Sequence, residues 1–381
     1  MKKSCTFASF AIQKIPNSLL MNPFFTKTLL HWHDVNPRPM PWSGEKNPYR
    51  IWLSEIILQQ TRVEQGLPYY NKFIETYPTV SDLAAAPEDS VMRLWQGLGY
   101  YSRARNLHEA AKHVSENLKG CFPNDYDALL KLKGVGSYTA AAIASFAFDL
   151  PHAVLDGNVY RVLSRFWGIE TPIDDPLAKT LFTKLAHELL DKNQSARYNQ
   201  AIMNFGAMQC VPQSPNCSKC PMRENCQAFA TNRVNELPIK SKKIDKTFRF
   251  FNYLFIQEDN EIWLHKRVEK DIWQNLYEFP MIETNKLLED EFELITYINA
   301  DERNLFDEKE VKNMQILQKS PVFKQILTHR KIIAIFWVVN ICTKKMSKKT
   351  NFFKTSPENL ITFALPKVIS DYLNNGQLSM L

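Results

Sequence analysis

The sequence predicts a multidomain chain in which an all-α half, containing a helix–hairpin–helix, precedes a smaller α+β half. Three observations carry that expectation. From about Phe24 to Phe229 apolar residues recur at helical spacing, and no convincing strand run interrupts them. Residues 231–246 then carry Pro238 and a lysine cluster, the composition of a basic linker. Beyond it come runs rich in aromatic and β-branched residues: FRFFNYLFIQ (248–257), EIWLHKR (261–267) and RKIIAIFWVVNICT (330–343).

The elements justify themselves in order. Residues 1–21 are expected to form a disordered N-terminal extension, because Gln13 and Lys14 interrupt its apolar patch and no cleavage site follows. Met21 is then an alternative start. PYRIWLSEIILQQT (48–61) opens with Pro48, which suits a first helical turn. YSRARNLHEAAKHVSENL (101–118) is amphipathic with a basic face. Residues 124–148 read as helix, a KGVG hairpin and a second helix, and helices follow at 158–168, 175–190 and 196–210. In the second half EDN (258–260) is a hairpin turn, and LPKVISDYLNN (365–375) a late helix. The expected division is an extension at 1–21, an all-α domain at 22–230, a linker at 231–246 and an α+β domain at 247–381.

Bulk properties narrow the function classes. Its 381 residues suffice for two or three domains, and 45% apolar with 23% charged residues is globular. A net charge of +7 leans towards an anionic partner. No run of about 18 apolar residues occurs, so no membrane span is expected. Seven cysteines and no signal peptide argue for a reducing, intracellular compartment. Cys5, Cys121 and Cys342 are isolated, whereas Cys210-x6-Cys217-x2-Cys220-x5-Cys226 is a cluster. Four thiolates so spaced point to one metal centre, and their number alone suits zinc or [4Fe–4S] equally. Pro212, Pro215 and Pro221 place them on a loop, 210–226.

Three further features carry chemistry. Gly134-Val135-Gly136 before a helix offers backbone N–H groups to a phosphate, with Ser137 and Thr139 as extra donors. Asp156 precedes the helix at 158 and is a natural N-cap. Glu55 has Ile51, Trp52 and Leu58 at i−4, i−3 and i+3, so it lies on an apolar stripe. Burial there raises a carboxyl pKa and makes Glu55 a candidate general acid, a paired core glutamate being the alternative. A protonated carboxyl and an ionised carboxylate are what cleavage of a glycosidic bond needs. A nucleobase would have to leave the duplex stack to reach them.

The helix–hairpin–helix, the Asp156 after it and the cysteine loop, in that order, resemble the endonuclease III superfamily of DNA glycosylases over about residues 24–229. SEIILQQTRV (54–63), WQGLGYYSRARNL (95–107), LDGNVYRVL (155–163) and NQAIMNFGAMQC (199–210) are similar to its MutY-type adenine glycosylases. The resemblance implies one [4Fe–4S] cluster on Cys210, Cys217, Cys220 and Cys226. It implies base excision repair on double-stranded DNA, removing adenine opposite 8-oxoguanine or guanine, by a cytoplasmic monomer acting on the chromosome. Glu55 matches the acid that protonates adenine at N7, and Asp156 the carboxylate facing the sugar cation, with Asn158 beside it. Arg38, Trp42, Leu58 and Gln200 match the lining of the adenine pocket. Gln60, Leu98 and Tyr100 match residues that wedge into the stack and contact 8-oxoguanine; from sequence alone Leu98 and Tyr100 serve equally as core, and Gln60 as a solvated helix end. Gly134, Val135 and Gly136 match the phosphate-binding hairpin, and Lys133 beside them is a phosphate contact or a solvated charge.

Tyr138 stands where the glycosylase/lyases of this superfamily carry lysine. A phenol cannot form a Schiff base, which implies base removal without strand cleavage. KRVEKDIWQNLYEFP (266–280) is similar to the recognition domain of these enzymes, which is related to Nudix hydrolases. The segment after Pro280 lacks the G-x5-E-x7-R-E-x2-E-E arrangement, so its glutamates read as a solvated face and no hydrolase activity is expected. The family's Phe-Ser-His loop corresponds to Leu327, Thr328 and His329, which keep a hydroxyl and the imidazole but lose the aromatic. Ser43 follows Trp42 where arginine is common. Two competing readings are an endonuclease III-type glycosylase/lyase for damaged pyrimidines and a non-catalytic, metal-stabilised DNA-binding protein. Tyr138 and the second domain count against the first, and Glu55 on an apolar face against the second.

Overall fold

The computed structural model describes residues 23–241, 245–258, 260–303, 305–341 and 352–375. The expected extension at 1–21 lies outside them, as do residues 242–244 of the linker, Cys5 and Cys342. In chain order the helices are α1 (Pro23–Val35), α2 (Pro48–Leu58), α3 (Val63–Thr76), α4 (Val80–Ala85), α5 (Glu88–Leu94), α6 (Ser102–Asn117), α7 (Tyr126–Leu130), α8 (Ser137–Phe148), α9 (Gly157–Trp167), α10 (Pro176–Leu189), α11 (Ser195–Met208) and α12 (Gln227–Ala230). The strands are β1 (Thr247–Glu258), β2 (Glu261–Lys266), β3 (Tyr277–Glu278), β4 (Met281–Thr284), β5 (Gln315–Lys319), β6 (Phe323–Ile326), β7 (Arg330–Asn340) and β8 (Phe352–Thr355). Helices α13 (Glu291–Asn299) and α14 (Glu308–Lys312) precede β5, and α15 (Lys367–Asn374) follows β8. Among the described residues no helix is long and apolar enough to cross a membrane.

Two compact units emerge. The first holds the described residues of Met1–Arg62, Tyr77–Ser81 and Glu109–Lys243; the second holds Val63–Thr76, Asp82–His108 and those of Ile244–Leu381.

In the first unit, helix starts follow capping chemistry. Asn47 accepts the Tyr49 amide at 2.9 Å with Pro48 behind it, Asp125 accepts the Ala128 amide at 2.8 Å, and Asp175 accepts that of Leu177 at 2.8 Å. Helix α8 is buried nearly all round, and its alanines 140, 141, 142 and 144 let α2, α7 and α11 approach closely. Phe25, Leu29, Val162, Phe166, Phe182, Ala201 and Phe205 form the core between α1, α9, α10 and α11. This packing sets the positions of α2, α8 and α9, whose residues build the site described below.

The second unit has an eight-stranded mixed sheet with the path β3-β2-β1-β7-β5; β4 pairs with β1, β6 with β7 and β8 with β2. Its centre is the parallel pair β1 and β7, in register from Thr247↔Arg330 to Ile256↔Val339. Leu294 and Ile298 of α13 cover one face over Leu254, Ile256, Ile335, Trp337 and Val339. Glu283, Glu289 and Glu291 are exposed, as expected of a solvated face. Strand β7 ends at Asn340, and β3, β4, β5, β6 and β8 go beyond the runs read from the sequence. They are too short, at two to five residues, for a period of two to stand out.

The interior of this sheet also holds charge. Arg267 donates to Glu278 at 2.6 Å, and both are buried. The Tyr253 hydroxyl donates to the other Glu278 oxygen at 3.1 Å. Beside them Asp271 accepts from Arg330 at 2.6 Å and from Arg249 at 2.7 Å. Burial works to raise the Asp271 pKa, yet these guanidinium bonds hold it down at about 2. The ion pair with Arg330 fixes the start of β7, directly after the turn carrying Thr328 and His329.

Candidate active site

Glu55 lies in the last turns of α2 with only 8% of its surface exposed. Burial pushes its pKa up to about 7; the nearby Asp156 charge adds to this, and a hydrogen bond from the Tyr138 hydroxyl opposes it. Tyr138, in the first turn of α8, has its own pKa driven well above the ordinary range by burial and by Glu55 and Asp156. It stays a neutral phenol at physiological pH, a hydrogen-bond donor that, unlike an amine, cannot form a Schiff base.

Asp156 is both an N-cap and a site carboxylate. One oxygen accepts the Val159 amide at 2.8 Å and starts α9, while the other accepts the Asn158 side-chain amide at 2.7 Å. Burial raises its pKa, and the bonds from Val159 and Asn158 work against that rise. Both bonds are of the kind that favours the charged form of a carboxyl. The structure therefore gathers Glu55, Tyr138 and Asp156 from three helices into one cluster.

Residues not singled out from the sequence hold this cluster. Arg161 donates to the Asn158 side-chain oxygen at 2.9 Å, to the Gly206 carbonyl at 2.6 Å and to the Cys210 carbonyl at 2.7 Å. Asn199, fully buried, accepts the Val154 amide at 3.2 Å and donates to the His152 carbonyl at 2.8 Å and the Ser145 hydroxyl at 2.9 Å. It pins the strand of chain that delivers Asp156. Both lie inside quoted motifs, but apart from Asn158 these partners sit 45 to 54 residues away, beyond the reach of any local pattern.

Gly206 has a steric reason of its own. A Cβ there would lie 2.6 Å from the Asn158 Cβ and 3.0 Å from its carbonyl oxygen. Alanine normally gains about 1 kcal/mol over glycine in a helix. The clash with α9 outweighs that, so Gly206→Ala is expected to destabilise the fold by roughly 1–3 kcal/mol and to displace Asn158. Thermal melts combined with a rate measurement check this; a more stable, fully active variant would contradict it.

At the hairpin, Gly134 has φ +75°, which only glycine adopts freely, whereas Gly136 is an extended N-cap with open space where a Cβ would be. The Val135 amide is engaged by the Leu132 carbonyl at 3.1 Å and its side chain is buried, so Val135 packs beneath the hairpin and the two glycines form its open edge. Thr139 corrects the sequence expectation. It is 2% exposed and accepts a bond from the Gln59 side chain at 3.3 Å, because a residue two past Ser137 turns inward on a helix buried all round. Lys133 pairs with Glu109 at 3.7 Å with both side chains exposed, as a solvated charge does.

Trp42 is half-buried in a turn that Ser43 closes, its amide bonding the Met40 carbonyl at 2.8 Å and its hydroxyl the Met40 amide at 2.9 Å. Arg38 is half-buried before that turn, Leu58 half-buried at the end of α2, and Gln200 donates to Asn204 at 3.1 Å along α11. Gln60 lies past the helix end, exposed and with φ +55°. In the second unit Leu98 is buried, the place a packing residue takes. Tyr100 is exposed, with φ +49°, and its hydroxyl lies 2.8 Å from that of Thr328. Thr328 and the exposed His329 form the turn between β6 and β7, closed by the Leu327 amide on the Arg330 carbonyl at 2.8 Å. Two positions read separately from the sequence thus meet.

The cysteine loop leaves α11 at Cys210 and continues through short 3₁₀ turns at Cys217–Lys219 and Arg223–Asn225 to Cys226. Buried Arg165 organises it, donating to the Cys210 sulfur at 3.4 Å, to the Val211 and Pro212 carbonyls at 2.8 and 2.9 Å, and to the Leu237 carbonyl at 2.9 Å. Among the described residues no three His, Cys, Asp or Glu converge on one ion-sized position. The four thiols nevertheless lie within electrostatic reach of one another.

Two family models match the chain: one described as HhH-GPD superfamily base excision DNA repair protein over residues 53–187, and one described as NUDIX domain over residues 252–375. The adenine DNA glycosylase of Buchnera aphidicola subsp. Baizongia pistaciae is 39% identical over 269 residues, covering 69% of this chain and 76% of the relative. The adenine DNA glycosylase of Homo sapiens is 42% identical over 213 residues, covering 54% of this chain and 39% of the relative. A solved structure described as a thermostable thymine-DNA glycosylase superposes with a TM-score of 0.52 and 29% identity, over 56% of this chain and 98% of that one.

Proposed function

The chain belongs to the adenine DNA glycosylases of the HhH-GPD superfamily, and on that premise we propose that it excises adenine opposite 8-oxoguanine or guanine and leaves the strand uncut. It is a base excision repair glycosylase, and DNA is its partner. The observation that carries the finer reading is the buried Glu55, with a pKa of about 7, beside Asp156. An unstacked adenine reaching this cluster receives the Glu55 proton on a ring nitrogen, which makes it a neutral leaving group as the C1′–N bond breaks. The Asp156 carboxylate faces the positive charge left on the sugar, held in place by Val159 and Asn158. Water adds its oxygen to C1′ and releases a proton, which restores Glu55 for the next turnover. The enzyme acts as a monomer on the chromosome in this reading.

Tyr138 supports a reaction that stops at the base, because no amine stands at that place. An A:8-oxoguanine duplex should break at the adenine only after hot alkali. No alkali-revealed break would sink the proposal, and breakage without alkali, with an adduct trapped by borohydride, would overturn its last clause. Tyr138 also sets the pH profile. Its hydrogen bond favours ionised Glu55, so Tyr138→Phe is expected to raise the Glu55 pKa. The rate falls as pH rises through about 7, where Glu55 loses its proton, and in the variant that fall should move to higher pH. A profile moving to lower pH would contradict the assignment.

Cys210, Cys217, Cys220 and Cys226 fit an iron–sulfur cluster. The donor set is all sulfur, Arg165 offers an N–H to the Cys210 sulfur, and the four side chains lie within electrostatic reach of one another on one loop. Bound there, the cluster would tie the loop to α9 and α11. The purified protein is expected to hold about four irons per chain and to absorb in the visible, whereas one zinc per chain would refute the assignment.

A further inference from the structure

We infer that Gln96 is a positioning residue for reading the base opposite the excised adenine, an inference that rests on the function proposed above. The segment after it is conformationally demanding: Gly97, Gly99 and Tyr100 have φ +98°, +73° and +49°. A tyrosine in the left-handed region persists only where its surroundings hold it. The Trp95 indole donates to the Gly99 carbonyl at 3.0 Å, Arg103 donates to the same oxygen at 3.3 Å, and the Gly97 amide donates to the Tyr101 hydroxyl at 3.3 Å. The Tyr69 hydroxyl donates to the Gln96 carbonyl at 2.8 Å and fills the space that a Cβ at Gly97 would need. Apart from Tyr69 of α3, these contacts come from residues close in sequence to the loop.

The Gln96 side chain reaches further. Its Nε2 donates to the Ser370 hydroxyl at 2.9 Å, and its Oε1 accepts the Leu365 amide at 3.4 Å. Arg93 donates to the same Oε1 and so fixes which way the amide faces. Ser370 sits on α15, where Tyr372 stacks on Phe336 of β7 with ring centroids 3.9 Å apart. Strand β7 begins directly after Thr328 and His329. The Tyr100 loop is therefore clamped at Gln96 and meets Thr328 at its far end, 2.8 Å between hydroxyls. Without the clamp the loop is anchored only to its flanking helices and to Tyr69. Tyr100 then loses its fixed place beside Thr328, and with it the geometry that separates 8-oxoguanine from guanine. A shift of about 1 Å in a positioning group is enough to cost selectivity.

The test compares single-turnover excision, at subsaturating enzyme, from A:8-oxoguanine and A:G duplexes. Gln96→Ala and Ser370→Ala should each narrow the ratio of the two rates by about three- to tenfold, the range expected for one hydrogen bond. The double variant should narrow it no further, and Ser370→Thr, which keeps the acceptor, should restore it. A purely structural role would instead lower both rates by one factor, or lower the melting temperature and leave the ratio alone; either result overturns the inference, as does a double variant whose effects multiply. Should Gln96→Ala fail to fold, Ser370→Ala breaks the same bond from the other side. A wild-type protein excising no adenine opposite either base would overturn the functional reading itself; a wild-type preference that both variants keep overturns only the role of Gln96.

Discussion

Replacing Glu55 by glutamine is expected to lower adenine excision by about 10³-fold while duplex binding stays nearly intact. Glutamine matches glutamate in size, so the apolar pocket of Ile51, Trp52 and their neighbours stays filled. What disappears is the proton. An amide cannot protonate a departing base, and among the described residues no other buried acid stands beside Asp156 to replace it. The same substitution carries a stability signature. A carboxyl whose folded pKa is about 7, against 4.5 normally, holds its proton where the unfolded chain has released it. The folded state then binds more protons than the unfolded state, so stability falls as pH rises across that window. Glutamine does not titrate. Glu55→Gln should thus gain stability relative to the wild type as pH rises through the window, levelling off above pH 7 at an advantage on the order of 3 kcal/mol. Melting curves at pH 5 and pH 8 decide it, and an equal difference at both would refute the raised pKa.

Asp156→Asn is the second large effect, with excision expected to fall by roughly 10²–10³-fold. Asparagine caps helices about as well as aspartate, so it can still accept the Val159 amide and start α9. Its single oxygen cannot also accept the Asn158 amide, so stability should fall by roughly 1–2 kcal/mol. The charge facing the sugar cation is lost, and with it the stabilisation that rises only as the bond breaks. Asp156→Ala would lose cap and charge together. If asparagine preserved activity, the cap alone would account for Asp156.

The contrast between these residues explains what was legible in the sequence. Glu55 could be read because its neighbours on the same helix face are apolar, a pattern confined to one element. Asp156 could be read only as a cap until a resemblance supplied a second role; the structure shows the cap and sets the same side chain beside Glu55, which supports the proposed second role. Thr139 was misread because a hydroxyl near a hairpin looks like a donor; only the packing of α8 shows that it turns inward. Asn199, Arg161 and Gly206 escaped notice because each acts on a partner in another element. The short strands escaped for a related reason. Gln315–Lys319 leaves Leu317 largely exposed, and its place is set by pairing with β7 rather than by its own pattern.

The parallel pairing of β1 with β7 has a consequence for how the protein is made. Strand β1 can find β2 and β4 soon after leaving the ribosome, because both lie close behind it in the chain. Its other neighbour is about 80 residues later, so that edge of β1 stays open while the intervening chain is synthesised. At roughly 5–20 residues per second this exposure lasts about 4–16 s. For those seconds a twelve-residue strand with Phe250, Tyr253 and Phe255 presents unpaired amides and carbonyls to its surroundings. During synthesis the open β1 edge is therefore a place where a chaperone binding extended chain would act.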